Sequence, residues 1–414
     1  MAITDTKQGV WETDQVYNKI MEGDIWSYNS AGQRWAWGAN PQGAYGNNIV
    51  APNQKSSPTQ VGSDEFIWNQ IVPIDQGGMG VKNDGTFWTW GRDLYGRLAF
   101  NDGHDTKKSS PVQLGTDTNW SFAFGAHYGG FGGLKTDGTL WTWGRNQYGQ
   151  AGTNTTTPGR SSPVQVPGTT WEFCESNSES MLAIKTDGSL WAWGRNEKGE
   201  LGQNNKTTYS SPRQIPGSWA VGKYKCAIGK GTQPGNPDVK ISYGIKDDGT
   251  LWAWGDGFYG LLGQNESGPP DRYRSSPVQI GTGTDWKAIA TQQASDPGYT
   301  QAFKTDGTMW MWGYAIQGAL GINLPGDAKR SSPTQIPGTN WTYSEACFRL
   351  GRKNASAIKT DGTMWVWGSA DKGQTGQNDG TTRSSPIQIP GTWSGVGVAA
   401  EGTVFALKGG LMEE

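Results

Sequence analysis

The chain repeats a Trp-x-Trp-Gly tetrapeptide seven times, and this repetition limits its possible folds more than any other feature. The copies begin at Trp35, Trp88, Trp141, Trp191, Trp252, Trp310 and Trp365. A period of about 50 to 60 residues is typical of solenoids and propellers, in which each unit buries its apolar face against its neighbours. The sequence therefore predicts an array of equivalent units rather than several unrelated domains.

Each unit begins with a predicted β-hairpin. In residues 134–171 two short apolar runs flank Asp137-Gly138, a dipeptide that favours a tight two-residue turn because glycine adopts positive φ at no steric cost. The same turn recurs at Asp84-Gly85, Asp187-Gly188, Asp248-Gly249, Asp306-Gly307 and Asp361-Gly362, while the first copy has Ala31-Gly32. The hairpin supplies two strands of every unit.

A third strand follows a Ser-Ser-Pro triplet, as at Ser161-Ser162-Pro163, since proline is tolerated at the start of a strand. A fourth strand begins after a Pro-Gly or similar turn, near Trp120, Trp171, Trp219, Trp286, Trp341 or Trp393. Four strands in each of seven units predict an all-β fold, a seven-bladed β-propeller of antiparallel blades. We expect it to cover residues 29–410.

The paired tryptophans are predicted to pack between neighbouring blades. Residues two apart on a strand point to the same face of its sheet. Burial of such large rings would then supply much of the stability. The predicted inter-blade residues are Trp35, Trp37, Trp88, Trp90, Trp141, Trp143, Trp191, Trp193, Trp252, Trp254, Trp310, Trp312, Trp365 and Trp367.

The two ends of the chain suggest how the ring closes. Residues 403–408, TVFALK, resemble the opening strand of a unit, but no Trp-x-Trp-Gly strand follows them. Pairing of this C-terminal strand with residues 33–37 would make one blade from both ends. In the competing interpretation, residues 25–38 form their own hairpin and the C-terminal strand is an added edge.

Composition excludes several classes of function. The net charge is -2 and 17% of residues are charged, which gives no electrostatic footprint for nucleic acid. We expect no membrane insertion, because no run of eighteen apolar residues occurs, and the N-terminus does not resemble a secretory signal. Cys174, Cys226 and Cys347 are too few and too dispersed for a disulfide framework, and we expect them at buried apolar positions.

Catalysis is not predicted. The chain has two histidines, His104 and His127, at unrelated places in the repeat, so no triad or histidine metal site is recognisable. The recurring aspartates are explained by turn chemistry. We therefore expect no catalytic residues, no metal and no cofactor.

Loop lengths indicate where a ligand would bind. The Asp-Gly and Pro-Gly turns are short and uniform, whereas the loops before the Ser-Ser-Pro strands vary, as do the crossovers to the next hairpin. Variable loops on a rigid scaffold are a usual place for recognition, although unconstrained drift would also explain them. The candidate binding residues on this face are Tyr95, His104, Tyr148, Tyr259, Arg272 and Tyr273.

The unit KTDGTLWTWGRNQYGQAG with RSSPVQVPG closely resembles the repeat of the regulator-of-chromosome-condensation (RCC1-like) superfamily, over roughly nine-tenths of the chain. The resemblance implies a seven-bladed propeller. It leaves the task open, because members act as GTPase exchange factors, as β-lactamase inhibitors or as interaction domains. The near-identical repeats are more typical of bacterial and viral members.

Residues 1–28 lie outside the repeats and are predicted to be a docking or capping segment. Val16, Ile20 and Met21 have helical spacing, with Thr13 or Asp14 as a possible N-cap, so a short helix is expected. The segment also resembles short aromatic stretches in tail and capsid-associated proteins of bacterial viruses.

These observations favour a non-enzymatic virion protein of a bacterial virus. It would be an exposed capsid or tail appendage, made in the host cytoplasm. It would contact other virion proteins through residues 1–28 and use its variable loops to bind a host surface protein or glycan. The alternative is a bacterial regulatory or inhibitory propeller that binds one protein partner, an enzyme or small GTPase, through its central funnel.

Overall fold

The computed structural model describes residues 33–49, 54–62, 68–74, 76–101, 105–126, 129–157, 159–231, 239–266, 273–292, 298–324, 326–343, 348–398 and 402–408. These residues form the seven sheets of the predicted β-propeller. No α-helix occurs among them; two 3-10 turns lie at Pro41–Gly43 and Phe258–Gly260. The helix predicted within residues 1–28 falls outside the described residues.

Blades 1 to 3 follow one another along the chain. Blade 1 comprises β3 (Trp68–Ile74), β4 (Gly77–Lys82), β5 (Phe87–Arg92) and β6 (Lys107–Gln113). Blade 2 comprises β7 (Trp120–Gly125), β8 (Gly130–Lys135), β9 (Leu140–Arg145) and β10 (Gly159–Val166). Blade 3 comprises β11 (Trp171–Ser176), β12 (Ser180–Lys185), β13 (Leu190–Gly194) and β14 (Tyr209–Ile215).

Blades 4 to 6 repeat this order, and blade 7 differs. Blade 4 comprises β15 (Cys226–Gly231), β16 (Val239–Ile245), β17 (Leu251–Asp256) and β18 (Tyr273–Gln279). Blade 5 comprises β19 (Trp286–Thr291), β20 (Tyr299–Lys304), β21 (Met309–Ala315) and β22 (Ala328–Ile336). Blade 6 comprises β23 (Trp341–Thr342), β25 (Asn354–Lys359), β26 (Met364–Gly368) and β27 (Arg383–Ile389).

Both ends of the described chain contribute to blade 7. It comprises β28 (Trp393–Val398), β29 (Thr403–Lys408), β1 (Gln33–Gly38) and β2 (Lys55–Gln60). Strand β29 pairs antiparallel with β1, from Gln33 opposite Lys408 to Gly38 opposite Thr403. The short strand β24 (Phe348–Arg349) adds to β28 in parallel. Main-chain hydrogen bonds between the two ends therefore close the ring.

The sequence repeat and the blade are offset by one strand. The fourth strand of a repeat does not join the sheet of its own hairpin; for example, β11 pairs with β12 in the next sheet. It becomes the innermost strand there, in contact with the innermost strands of neighbouring blades. Each repeat thus supplies the outer three strands of one blade and the inner strand of the next.

The two tryptophans of each pair have different environments. The second one is fully buried, and its indole N–H donates to a loop carbonyl of the preceding blade, as Trp193 does to Gln150 at 2.9 Å. The first tryptophan is partly exposed. In blades 1 to 6 its indole N–H donates to a hydroxyl of the adjacent Asp-Gly turn, as Trp191 does to Ser189. The fully buried members that cross a junction are Trp37, Trp90, Trp143, Trp193, Trp254, Trp312 and Trp367.

A second contact joins each blade to the next near the rim. An asparagine in the loop after the third strand takes positive φ. Its main-chain N–H donates to the main-chain carbonyl of a serine in the Ser-Ser-Pro strand of the next blade, at 2.7 to 3.0 Å. A serine hydroxyl donates back to the asparagine side chain, as Ser161 does to Asn101. These asparagines are Asn48, Asn101, Asn154, Asn204, Asn265, Asn323 and Asn378. The clasp repeats at all seven junctions.

Candidate binding surface

Aromatic side chains close the central channel. Tyr224 lies at its centre, 3% exposed, with ring centroids 5.2 Å from both Phe173 and Phe348 and 6.3 Å from Phe122. Blade 4 supplies this ring because its inner strand begins seven residues after Trp219, and Tyr224 reaches inward from the intervening residues with a φ of 58°. The space around these rings holds no water-sized void.

Polar contacts cross the same channel. Arg349 of β24 donates to the main-chain carbonyl of Gly125 in blade 2, and its guanidinium lies 3.5 Å from the Glu175 carboxylate of blade 3. Gln70 exchanges two hydrogen bonds with the main chain of Ala123. Among the described residues, a partner could not pass through this channel without breaking these contacts.

The short-turn face carries the Asp-Gly turns between the second and third strands of a blade and the turns between blades. In blade 2 the Trp141 indole donates to the Thr139 hydroxyl, which donates to Asp137 at 2.7 Å. Hydrogen bonds from the Thr139 hydroxyl and amide, with the nearby Lys135 ammonium, hold the pKa of Asp137 below its usual value. The same bonding recurs at the turns of blades 1 to 6.

Lysines on the short-turn face are folded against indoles. Lys185 lies 4.7 Å from the ring centroid of Trp171 and 4.6 Å from that of Trp191. Equivalent lysines occupy the other six blades, each within 6.0 Å of two tryptophan rings. Each of these ammonium groups is thus held beside two indoles.

The variable-loop face carries the loops between the first and second strands and between the third and fourth strands. Four of the predicted binding residues are described there: Tyr95 and Tyr273 are exposed at 44% and 37%, and Tyr148 and Tyr259 are partly exposed. We call these four residues the tyrosine rim. His104 and Arg272 lie outside the described residues.

Groups from neighbouring blades cover the rings of the tyrosine rim. Arg145 lies 5.5 Å from the Tyr95 centroid and Arg195 lies 4.8 Å from that of Tyr148, each reaching from the following blade. Tyr259 stacks on Tyr314 of blade 5 with centroids 4.4 Å apart and an interplanar angle of 17°. The rim residues belong to blades 1, 2 and 4 and form one arc that spans three blade junctions.

A buried charge cluster lies behind the rim between blades 3 and 4. Glu179 is within 2.7 Å of Arg195, 3.1 Å of Lys230 and 2.6 Å of Lys240, and Lys240 also approaches Glu200 at 3.5 Å. Burial raises the pKa of Glu179, but the Lys240 and Lys230 charges outweigh it and leave the pKa at about 2. Sequence reasoning missed this cluster because its members lie on two loops and two strands. The lysine at position 240, inside a mostly apolar strand, was the available signal.

The two described cysteines lie in the core. Cys174 and Cys226 are fully buried, which raises the pKa of both thiols, and Cys347 is outside the described residues. The described residues hold no group of three or more His, Cys, Asp or Glu placed to bind a metal ion. Within the same part of the chain, no helix has the length and apolar character that a membrane crossing requires.

Comparison with known proteins agrees with this architecture. The model of the regulator of chromosome condensation (RCC1) repeat matches residues 137–173 and 187–226. Human and mouse E3 ubiquitin-protein ligase HERC2 are each 24% identical over 374 residues, 89% of this chain but 6% of theirs. The mitochondrial RCC1 domain-containing protein RUG3 of Arabidopsis thaliana is 26% identical over 321 residues, 73% of this chain and 64% of its own. The chain thus spans a small part of the first two relatives.

Solved structures resemble the whole ring. Human WBSCR16 superposes with a TM-score of 0.73 at 18% identity, covering 91% of this chain and 99% of that one. Prp20p from Saccharomyces cerevisiae, studied for its binding to Gsp1p and histones, gives 0.72 at 16% identity and 90% coverage of both. At these identities the likeness concerns the fold. Two repeats of the chain therefore match the RCC1 repeat, and its fold is that of the RCC1-like propellers.

Proposed function

We propose that this chain is a non-enzymatic, regulatory propeller that binds one protein partner through the tyrosine rim. The observation that carries the proposal is the contrast between a closed channel and an arc of exposed, cross-braced tyrosines. Tyrosine and arginine are favoured at the centres of protein interfaces, because they offer large contact areas at a low cost in conformational entropy.

The comparisons support a protein-binding role in general terms. Prp20p is described with Gsp1p and histones, and yeast RCC1 with Kap60; those partners belong to those proteins. None of the proteins named above is described as a virion component, so the virion role predicted from the sequence gains no support from them. The proposal therefore takes the alternative, a single partner, and moves its contact from the funnel to the rim.

The test is a pull-down, in which the full chain is immobilised and incubated with a lysate of the cells in which it is naturally made. A double variant of the rim, Tyr95→Ala with Tyr273→Ala, is compared with a double variant of the short-turn face, Val221→Ala with Thr360→Ala; all four residues are exposed. We expect a partner in equal ratio, retained by the wild type and by the short-turn variant and lost from the rim variant. Retention of the partner by the rim variant would refute the proposal. So would finding the chain only in particles that sediment on centrifugation, as a virion component would.

A further inference from the structure

Charge is distributed unevenly around the ring, although the chain as a whole carries -2. In the loops after the third strands of blades 1 to 5, with the adjoining strand ends, eleven described lysines and arginines reach the surface. Four described carboxylates do so: Asp105, Glu197, Glu266 and Asp327. In the described parts of the loops that carry the tyrosine rim, exposed cations therefore outnumber exposed carboxylates.

The cations and the exposed aromatic rings coincide most closely between blades 3 and 4. Tyr273 lies between two lysines of blade 3, with the Lys198 ammonium 5.4 Å and the Lys206 ammonium 4.7 Å from its ring centroid. Lys206 and Tyr273 are exposed and Lys198 is partly exposed. This Lys-Tyr-Lys group offers an apolar surface flanked by two positive charges.

The buried cluster behind this group is balanced in charge. Its three cations, Arg195, Lys230 and Lys240, are faced by the three carboxylates of Glu179, Glu197 and Glu200, so the positive charge at the surface comes from Lys198 and Lys206. The cluster also holds Arg195 against Tyr148, since Glu179 fixes the guanidinium from behind at 2.7 Å. Arg195 and Tyr148 are thus held in place before any partner arrives, which lowers the entropic cost of binding at these two residues.

From this charge distribution we propose that the partner docks an acidic polypeptide segment on the tyrosine rim, with its carboxylates at Lys198, Lys206 and Arg145. The inference rests on the proposed function and names the chemistry of the partner. Complementary charge of this kind steers association and selects the partner, while the tyrosines supply contact area.

A polypeptide fits the surface better than a nucleic acid does. Ion pairs interrupt the row of cations, with Arg92 bound to Asp105 at 2.5 Å and Arg195 to Glu197 at 2.5 Å. A continuous phosphate backbone would meet these carboxylates along its path. Single carboxylates of a peptide can instead reach the cations that lie between the pairs.

The test measures binding of three labelled probes to the full chain by fluorescence anisotropy. The first is a twelve-residue peptide with six glutamates, two leucines and four glycines; the second has glutamine in place of glutamate; the third is a twelve-nucleotide thymidine strand. Two variants carry an equal change of net charge: Lys198→Glu with Lys206→Glu on the rim, and Lys223→Glu with Lys287→Glu on the short-turn face.

We expect the glutamate peptide to bind at least roughly tenfold more tightly than the glutamine peptide at low salt, with the difference shrinking as salt rises. The rim variant should lose this preference and the short-turn variant should keep it. Equal affinity for the two peptides, tighter binding of the thymidine strand, or an unchanged rim variant would each overturn the proposal. If the native partner is lost from the tyrosine variant but kept by the rim charge variant, the acidic segment fails while the proposed function stands.

Discussion

The side-chain hydrogen bonds on the two faces of the ring span very different distances along the chain. On the short-turn face they are local, since Asp137, Thr139 and Trp141 bond to one another within five residues. Main-chain bonds, such as that from the Trp171 N–H to the Gly138 carbonyl, join this face to the next blade. On the variable-loop face the bonds cross between blades, as Trp193 reaches Gln150 and Asn154 reaches Ser210. Where the bonds are local, every turn needs the same residues, so the turn sequences stay alike. On the other face a few fixed residues anchor each loop, and the remaining loop residues can differ, as recognition of a partner requires.

The first prediction separates the two tryptophans of one blade. Trp193→Ala should lower the free energy of unfolding by roughly 3 to 5 kcal/mol, because a fully buried ring and an inter-blade hydrogen bond are lost. Trp191→Ala, in the same strand, should cost about 2 kcal/mol, since its ring is only partly buried. Urea unfolding of both variants measures the difference. Equal losses would show that the faces are not anchored differently.

The second prediction concerns acid stability of the variable-loop face. Glu179→Gln should cost about 3 kcal/mol at neutral pH, because Lys240 is left fully buried without its nearest carboxylate. In the wild type the folded pKa of about 2 lies below the ordinary 4.5, so this contribution is complete above pH 4.5 and disappears as the pH falls towards 2. Thermal unfolding across this range should therefore be less pH-dependent in the variant. A parallel pH dependence of the two proteins would contradict the assignment.

The third prediction tests the clasp between blades. Asn154→Ala should cost about 1 to 2 kcal/mol, since alanine is strained at a φ of 58° and the side-chain bond to Ser210 is lost. Asn154→Gly keeps the main-chain bond and accepts the φ, so it should cost less. Chemical denaturation distinguishes them, and an alanine variant more stable than the glycine variant would be inconsistent with the clasp.

The smallest effect is expected on the short-turn face. Asp137→Asn should cost less than about 1 kcal/mol, because asparagine also accepts the Thr139 hydrogen bonds and tolerates the turn. The same denaturation experiment checks this value. A larger loss would mean that the turn aspartates stabilise more than their own hairpins.

The blades could be predicted because their sequence repeats, whereas features that depart from the repeat could not be predicted. Seven Trp-x-Trp-Gly copies and the Asp-Gly turns were enough for the sheets, since each depends on residues close in sequence. The offset between repeat and blade was missed, because a Pro-Gly turn looks the same within a sheet and between two sheets. The clasp could have been found, because an asparagine recurs two residues beyond a Gly-x-x-Gly pattern in each loop, or beyond Gly-x-x-Ala in blade 1.

Single residues outside the pattern required the structure. Tyr224 reaches the channel from the residues that precede the inner strand of blade 4, and Arg349 through the two-residue strand β24. Arg34 occupies a position that is apolar in the other blades, such as Leu140. It is 4% exposed, and burial lowers its pKa to about 9. Of the binding residues, the four described tyrosines were named from loop variability, but the cations beside them come from other blades.

The one-strand offset between repeat and blade has a consequence for how such rings change in size. Removing or duplicating one whole repeat leaves every remaining sheet with four strands, because the inner strand that is taken away is replaced by an equivalent one from the adjacent copy. Gene segments of one period can then be gained or lost without leaving an unpaired strand edge.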